Sequence, residues 1–133
     1  YLLKTLSNRT DMGANGSFAN GTISTEEGHR WKTVAVTESG IKIIEMKNPK
    51  SSLKLPEESH SPNSIYAVFN KGGNGLKGIS KYGPDGKKLF EIHTTDHHGL
   101  GLHYHAWKDG HPLEAKPLTQ SMKNMVEEVI NFK

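Results

Sequence analysis

A tight corner is written into residues 83–86. In Gly83-Pro84-Asp85-Gly86 the proline ring holds φ at about −65° in the second position, and the Asp-Gly pair accepts the sharp turn that follows. The flanking stretches, 76–82 and 89–95, are therefore expected to fold back on each other as antiparallel strands. The same logic extends along the chain. From His29, the residues Trp31, Thr33, Ala35 and Thr37 fall on one side, with Lys32, Val34 and Val36 on the other. A Glu38-Ser39-Gly40 turn then leads into 41–46, which makes a hairpin. Residues 65–69, a glycine-rich turn at 71–75, and 102–107 complete the pattern. The expectation is an antiparallel meander of five to six strands.

Three regions depart from this period. Residues 1–27 are rich in Ser, Asn, Gly and Thr and read as a loop-rich lead-in. Residues 48–63 hold Pro49, Pro56 and Pro62 and read as a surface loop. At the C-terminal end, Leu118, Met122, Met125, Val126, Val129 and Ile130 line up on one side of a helix over 118–132, with Thr119 after Pro117 as its N-cap. The fold class is α+β: an antiparallel sheet over 28–110 with a C-terminal helix packed on one face. At 133 residues, one domain over 1–133 accommodates all of it.

No apolar run approaches the roughly 20 residues of a membrane-spanning helix, and no signal-peptide core can be drawn. The chain begins Tyr1-Leu2-Leu3, which reads as a processed product or a piece of a longer protein. Cysteine is absent, so thiolate ligands and cysteine nucleophiles drop out together. Histidine, carboxylate and hydroxyl chemistry remain. Seventeen Lys and Arg against 14 Asp and Glu give a net charge of +3, compatible with a polyanionic partner. Lys71, Lys77, Lys81, Lys87 and Lys88 concentrate that charge, either to hold phosphates or to keep strand edges from pairing.

Histidine carries the sharpest signal. Six of the eight fall between residues 93 and 111: His93, His97, His98, His103, His105 and His111. Side chains alternate faces along a strand. If Phe90, Ile92, Leu102, Tyr104 and Ala106 turn inward, then Glu91, His93, Thr95, His103, His105 and Trp107 share the other face, together with Leu89. Asp96, His97 and His98 would stand at its rim. Two chemistries use such a face. One imidazole can act as general base and a second as general acid, each role being worth about 100- to 10,000-fold in rate. On RNA, the base would take the 2′-hydroxyl proton and the acid would protonate the leaving 5′-oxygen, with no cofactor. His93, Thr95, His103 and His105 are the expected catalytic group. Lys81 and His98 are expected to bind substrate, and Tyr104 or Trp107 to stack a base. Alternatively, His103-x-His105 and a third histidine hold Zn²⁺ in a hydrolytic site.

From Gly78 through the Gly-Pro-Asp-Gly turn to the histidine hairpin ending at Trp107, the sequence resembles the C-terminal toxin domains of bacterial polymorphic and contact-dependent growth inhibition toxins. The likeness covers roughly 78–111. These modules include nucleases of the barnase, EndoU, colicin and RelE group, which pack helices on an antiparallel sheet. The resemblance implies a ribonuclease that cuts RNA, with tRNA among the substrates. It also implies a cognate immunity protein as partner and a secreted or surface-delivered fragment that acts in the cytoplasm of a target cell. A metal-dependent nuclease and a non-enzymatic phage or cell-surface binding module are the alternatives.

Overall fold

Strands with apolar side chains on both faces need cover on both sides, and this chain supplies it from two different segments. The computed structural model describes residues 22–25, 28–73, 75–94 and 102–132. Its strands are β1 Thr22–Thr25, β2 Gly28–Val36, β3 Lys42–Met46, β4 Ile65–Phe69, β5 Leu76–Tyr82, β6 Lys88–His93, β7 His103–Lys108 and β8 His111–Lys116. An α-helix, α1 Gln120–Ile130, follows them. The strands lie side by side in chain order. From β2 onward there are seven, where five or six were expected, and the four-residue β1 adds an eighth at the edge.

Two features correct the expected meander. First, β3 and β4 pair in parallel, Lys42 opposite Tyr66 and Ile43 opposite Ala67. All other neighbours are antiparallel. A parallel step needs a crossover long enough to return the chain to its starting end, and residues 47–64 provide it. Second, β8 extends the sheet beyond the expected limit at residue 110. Its hairpin turns on Asp109 and Gly110, both at positive φ, 52° and 80°, the conformation that an Asp-Gly pair favours. Pro112 is tolerated there because β8 is an edge strand with no further neighbour to receive its missing N–H.

The α1 helix covers one face as its spacing predicts. Leu118, Met122, Val126 and Val129 pack on Ile41, Ala67, Ile79 and Ile92, and each such buried side chain contributes about 1.5–3 kcal/mol relative to exposure. Thr119 is the N-cap, its Oγ1 accepting from the Met122 N–H at 3.2 Å. Ile130, expected on the same stripe, is instead 49% exposed at the helix end. Near that end, Glu128 Oε2 accepts from the Ser39 N–H at 3.1 Å and from the Ser39 hydroxyl at 2.6 Å. Partial burial pushes the Glu128 carboxyl up, but hydrogen bonds from Ser39 and Thr37 outweigh it and hold it below its ordinary value.

The crossover covers the opposite face. Trp31, Ile44, Met46, Tyr66, Val68 and Tyr82 form a second core with Leu55 of the crossover. Residues 48–63 are thus no mere surface loop: Leu55, Pro56 and Ser59 are buried. Polar contacts fasten the strap. Trp31 Nε1–H donates to the Lys54 carbonyl at 2.9 Å, the Tyr82 hydroxyl donates to the Pro56 carbonyl, and the Ser59 and Tyr66 hydroxyls lie 2.6 Å apart. The Ser59 N–H donates to the Gly86 carbonyl at 2.8 Å, inside the predicted Gly-Pro-Asp-Gly corner.

Candidate functional site

Beyond the strap, the same face of the sheet continues onto β6 and β7, and there a single extra residue sets the chemistry. Lys81 pairs with Phe90, but Tyr82 pairs with Lys88, so Leu89 is the unpaired residue of a β-bulge. A bulge resets the alternation of side chains. Leu89 is displaced from the histidine face and left 45% exposed, while Lys88 turns onto it. The Lys88 ammonium binds the Glu91 carboxylate, with its side chain 3% exposed. It also stands over the Trp107 ring, 4.5 Å from the centroid, within cation–π range.

Glu91 links this cation to the histidines. Its Oε2 lies 3.1 Å from His93 Nε2. Burial pushes the Glu91 carboxyl up, yet hydrogen bonds from His93 and Lys88 and the charges of both outweigh that effect, leaving it below the ordinary carboxylate value. His93 is directly opposite His103 in the β6–β7 ladder. His105, two residues on, returns to the same face. The three rings form a triangle with centroids 5.2 Å apart on every side, and one ring nitrogen from each lies within 4.8 Å of the others. His103 is buried, whereas His93 and His105 are partly open. His105 Nδ1 is 2.6 Å from the Leu113 carbonyl on β8. A carbonyl only accepts, so Nδ1 carries a proton, and in the neutral ring the lone pair is on Nε2.

A cavity of about 260 Å³ opens beside this group. Leu55 and Glu57 of the strap form one wall, and Gly78, Lys88, Glu91, His93 and Trp107 form the other. It falls below the roughly 300–1,000 Å³ of pockets for drug-sized ligands, a size suited to one base or one phosphate group. Gly78 sits opposite His93, and a Cβ there would lie 2.7 Å from the Ile92 carbonyl oxygen. Only glycine lets β5 approach β6 so closely. Trp107 Nε1 is buried with no hydrogen-bond partner among the described residues.

The structure therefore brings together His93, His103, His105 and Trp107. Thr95 and His98 lie outside the described residues, as does the expected rim at 96–101. Lys81 and Tyr104 do not join the site. Lys81 pairs with Phe90 and Tyr104 with Ile92, which places both on the helix-covered face, where Tyr104 packs edge-on to Phe90 at 6.2 Å. Leu102, expected in the core, is 51% exposed. The lysine tract disperses: Lys71 donates to the Pro49 and Ser51 carbonyls, and of the five only Lys77 and Lys88 line the cavity. Sequence reasoning counted Lys88 only as one of five lysines able to hold phosphates, placed Glu91 on the histidine face without a role, and gave none to Leu113. The Asp109-Gly110 pair was the available sign that β8 would return beside His105. Comparison with protein-family models, curated proteins and solved structures finds no match.

Proposed function

We propose that this chain is a ribonuclease domain of the toxin type, which cleaves RNA by histidine acid–base transphosphorylation without a metal. The observation that carries the reading is the unequal hydrogen bonding of two neighbouring imidazoles. His105, with Nδ1–H held by the Leu113 carbonyl, offers the Nε2 lone pair as general base. It takes the proton of a ribose 2′-hydroxyl, whose oxygen attacks the adjacent phosphorus. His93, whose Nε2 lies 3.1 Å from the Glu91 carboxylate, is the general acid. It gives a proton to the departing 5′-oxygen, leaving a 2′,3′-cyclic phosphate and a 5′-hydroxyl. Buried His103 completes the triangle, and Lys77 at the cavity supplies positive potential for the phosphate oxygens.

In this reading the domain is the delivered fragment of a bacterial effector and works inside a target cell. A producing cell then requires an immunity protein that covers the histidine triangle. The test is incubation of the purified chain with total RNA in excess chelator. Cleavage ending in cyclic phosphates, and lost in both His93→Ala and His105→Ala, is the expected result. A correctly folded chain that leaves RNA intact in chelator overturns the proposal. Activity that appears only on addition of a divalent metal would instead make this a metal-dependent nuclease.

A further inference from the structure

We propose that His93, His103 and His105 also form a binding site for a single divalent transition-metal ion of the zinc class, and that its occupancy switches the ribonuclease off. The regulatory half rests on the function proposed above. The site itself rests on geometry alone. Three imidazoles from two paired strands converge on one point, with one nitrogen from each within 4.8 Å of the others. Zinc–nitrogen bonds of about 2.0–2.1 Å in a tetrahedron place ligand nitrogens roughly 3.3 Å apart. The rings must therefore draw in by at most about 1.5 Å, which small side-chain rotations supply.

The surroundings match what a metal-ligating histidine needs. Such rings usually give their second nitrogen to a carbonyl or a carboxylate, which fixes the tautomer and the ring plane. Both arrangements are present: His105 Nδ1 meets the Leu113 carbonyl at 2.6 Å, and His93 Nε2 meets Glu91 at 3.1 Å. Lys88, beside the triangle, is neutralised by the same Glu91, so a dication entering the triangle meets no net positive charge from that pair. Three protein ligands leave a fourth position for water, since His93 and His105 are partly open.

Inhibition follows from counting lone pairs. The Nε2 pair of His105 can take a proton from the 2′-hydroxyl or bind a metal, but not both. Zinc bound there removes the base, and its bond to His93 removes the acid.

Zinc binding to the full chain is measured first, without RNA, by calorimetry and by competition with a chromophoric chelator. RNA cleavage is measured separately, in chelator and after stepwise addition of zinc. One zinc per chain, weakened at least 10-fold in both His93→Ala and His105→Ala but unchanged in His111→Ala, supports the site. Cleavage stopped by one equivalent of zinc and restored by chelator supports the switch. No saturable binding, or binding indifferent to His93→Ala and His105→Ala, overturns the site. Zinc-stimulated cleavage overturns the switch. A chain that binds one zinc through these residues yet never cuts RNA refutes the ribonuclease reading, and with it the switch, while upholding the metal site.

Discussion

The Leu113 carbonyl fixes the tautomer of His105. The 2.6 Å contact crosses from β8 to β7, so an edge strand with no catalytic side chain of its own decides which nitrogen of the ring is free. A general base needs both an available lone pair and a fixed direction, and the contact supplies both. His105→Ala is expected to lower cleavage of RNA by about 100- to 10,000-fold without loss of the folded circular dichroism spectrum. His111→Ala, an exposed change on β8, is expected to cleave at the wild-type rate. Equal rates for His105→Ala and wild type would remove His105 from the mechanism.

The buried ion pair gives a second expectation. Lys88 is almost wholly enclosed and its partner Glu91 is partly buried. Glu91→Gln leaves an ammonium in a poorly solvated place with only a neutral amide, and removing one member of such a pair costs on the order of 3 kcal/mol. Lys88→Met together with Glu91→Gln removes both charges and is expected to recover more than half of that loss. Urea denaturation of the single and double variants measures it.

Two glycines with similar backbones differ in surroundings. Gly86 has φ +83° and a Cβ there would clash with the Ser59 carbonyl oxygen, whereas Gly40 has φ +97° and open space. Gly40→Ala carries backbone strain alone, about 1 kcal/mol. Gly86→Ala adds a backbone clash that must push the strap away, and is expected to cost on the order of 3 kcal/mol. The order of the two thermal midpoints checks the claim.

Glu128 provides the pH dependence. Its folded value lies below its ordinary one, so its contribution is complete above the unfolded value of about 4.3 and is lost as pH falls through the lower folded value. Glu128→Gln is expected to flatten that part of the stability profile and to leave stability above pH 6 reduced by a nearly constant amount. An unchanged acid limb in this variant would refute the assignment.

What could be read from the sequence was local. Pro84 fixes its own φ and marks a corner wherever the chain goes. Thr119 caps a helix through a neighbour three residues away. His93, His103 and His105 share a face because strand alternation has a period of two. The parts that could not be read depend on distant partners. Nothing within 89–95 reveals that Leu89 will be left out of register against Tyr82, yet that slip places Lys88 in the site, while the regular pairing of Lys81 with Phe90 turns Lys81 to the helix-covered face. The strap likewise carries no period of its own. Leu55 and Pro56 are buried because Trp31, Tyr66 and Tyr82 wait for them on the sheet.

The lone parallel pairing between β3 and β4 also bears on how the molecule assembles. The strands from β4 to β8 each pair with the next in the chain, so those pairings close with little loss of chain entropy. The β2–β3 hairpin can join them only after the segment 47–64 has been drawn across the sheet, a larger loop to close. The half that bears the histidines can thus gather early, and the wall of its cavity formed by Leu55 and Glu57 arrives last.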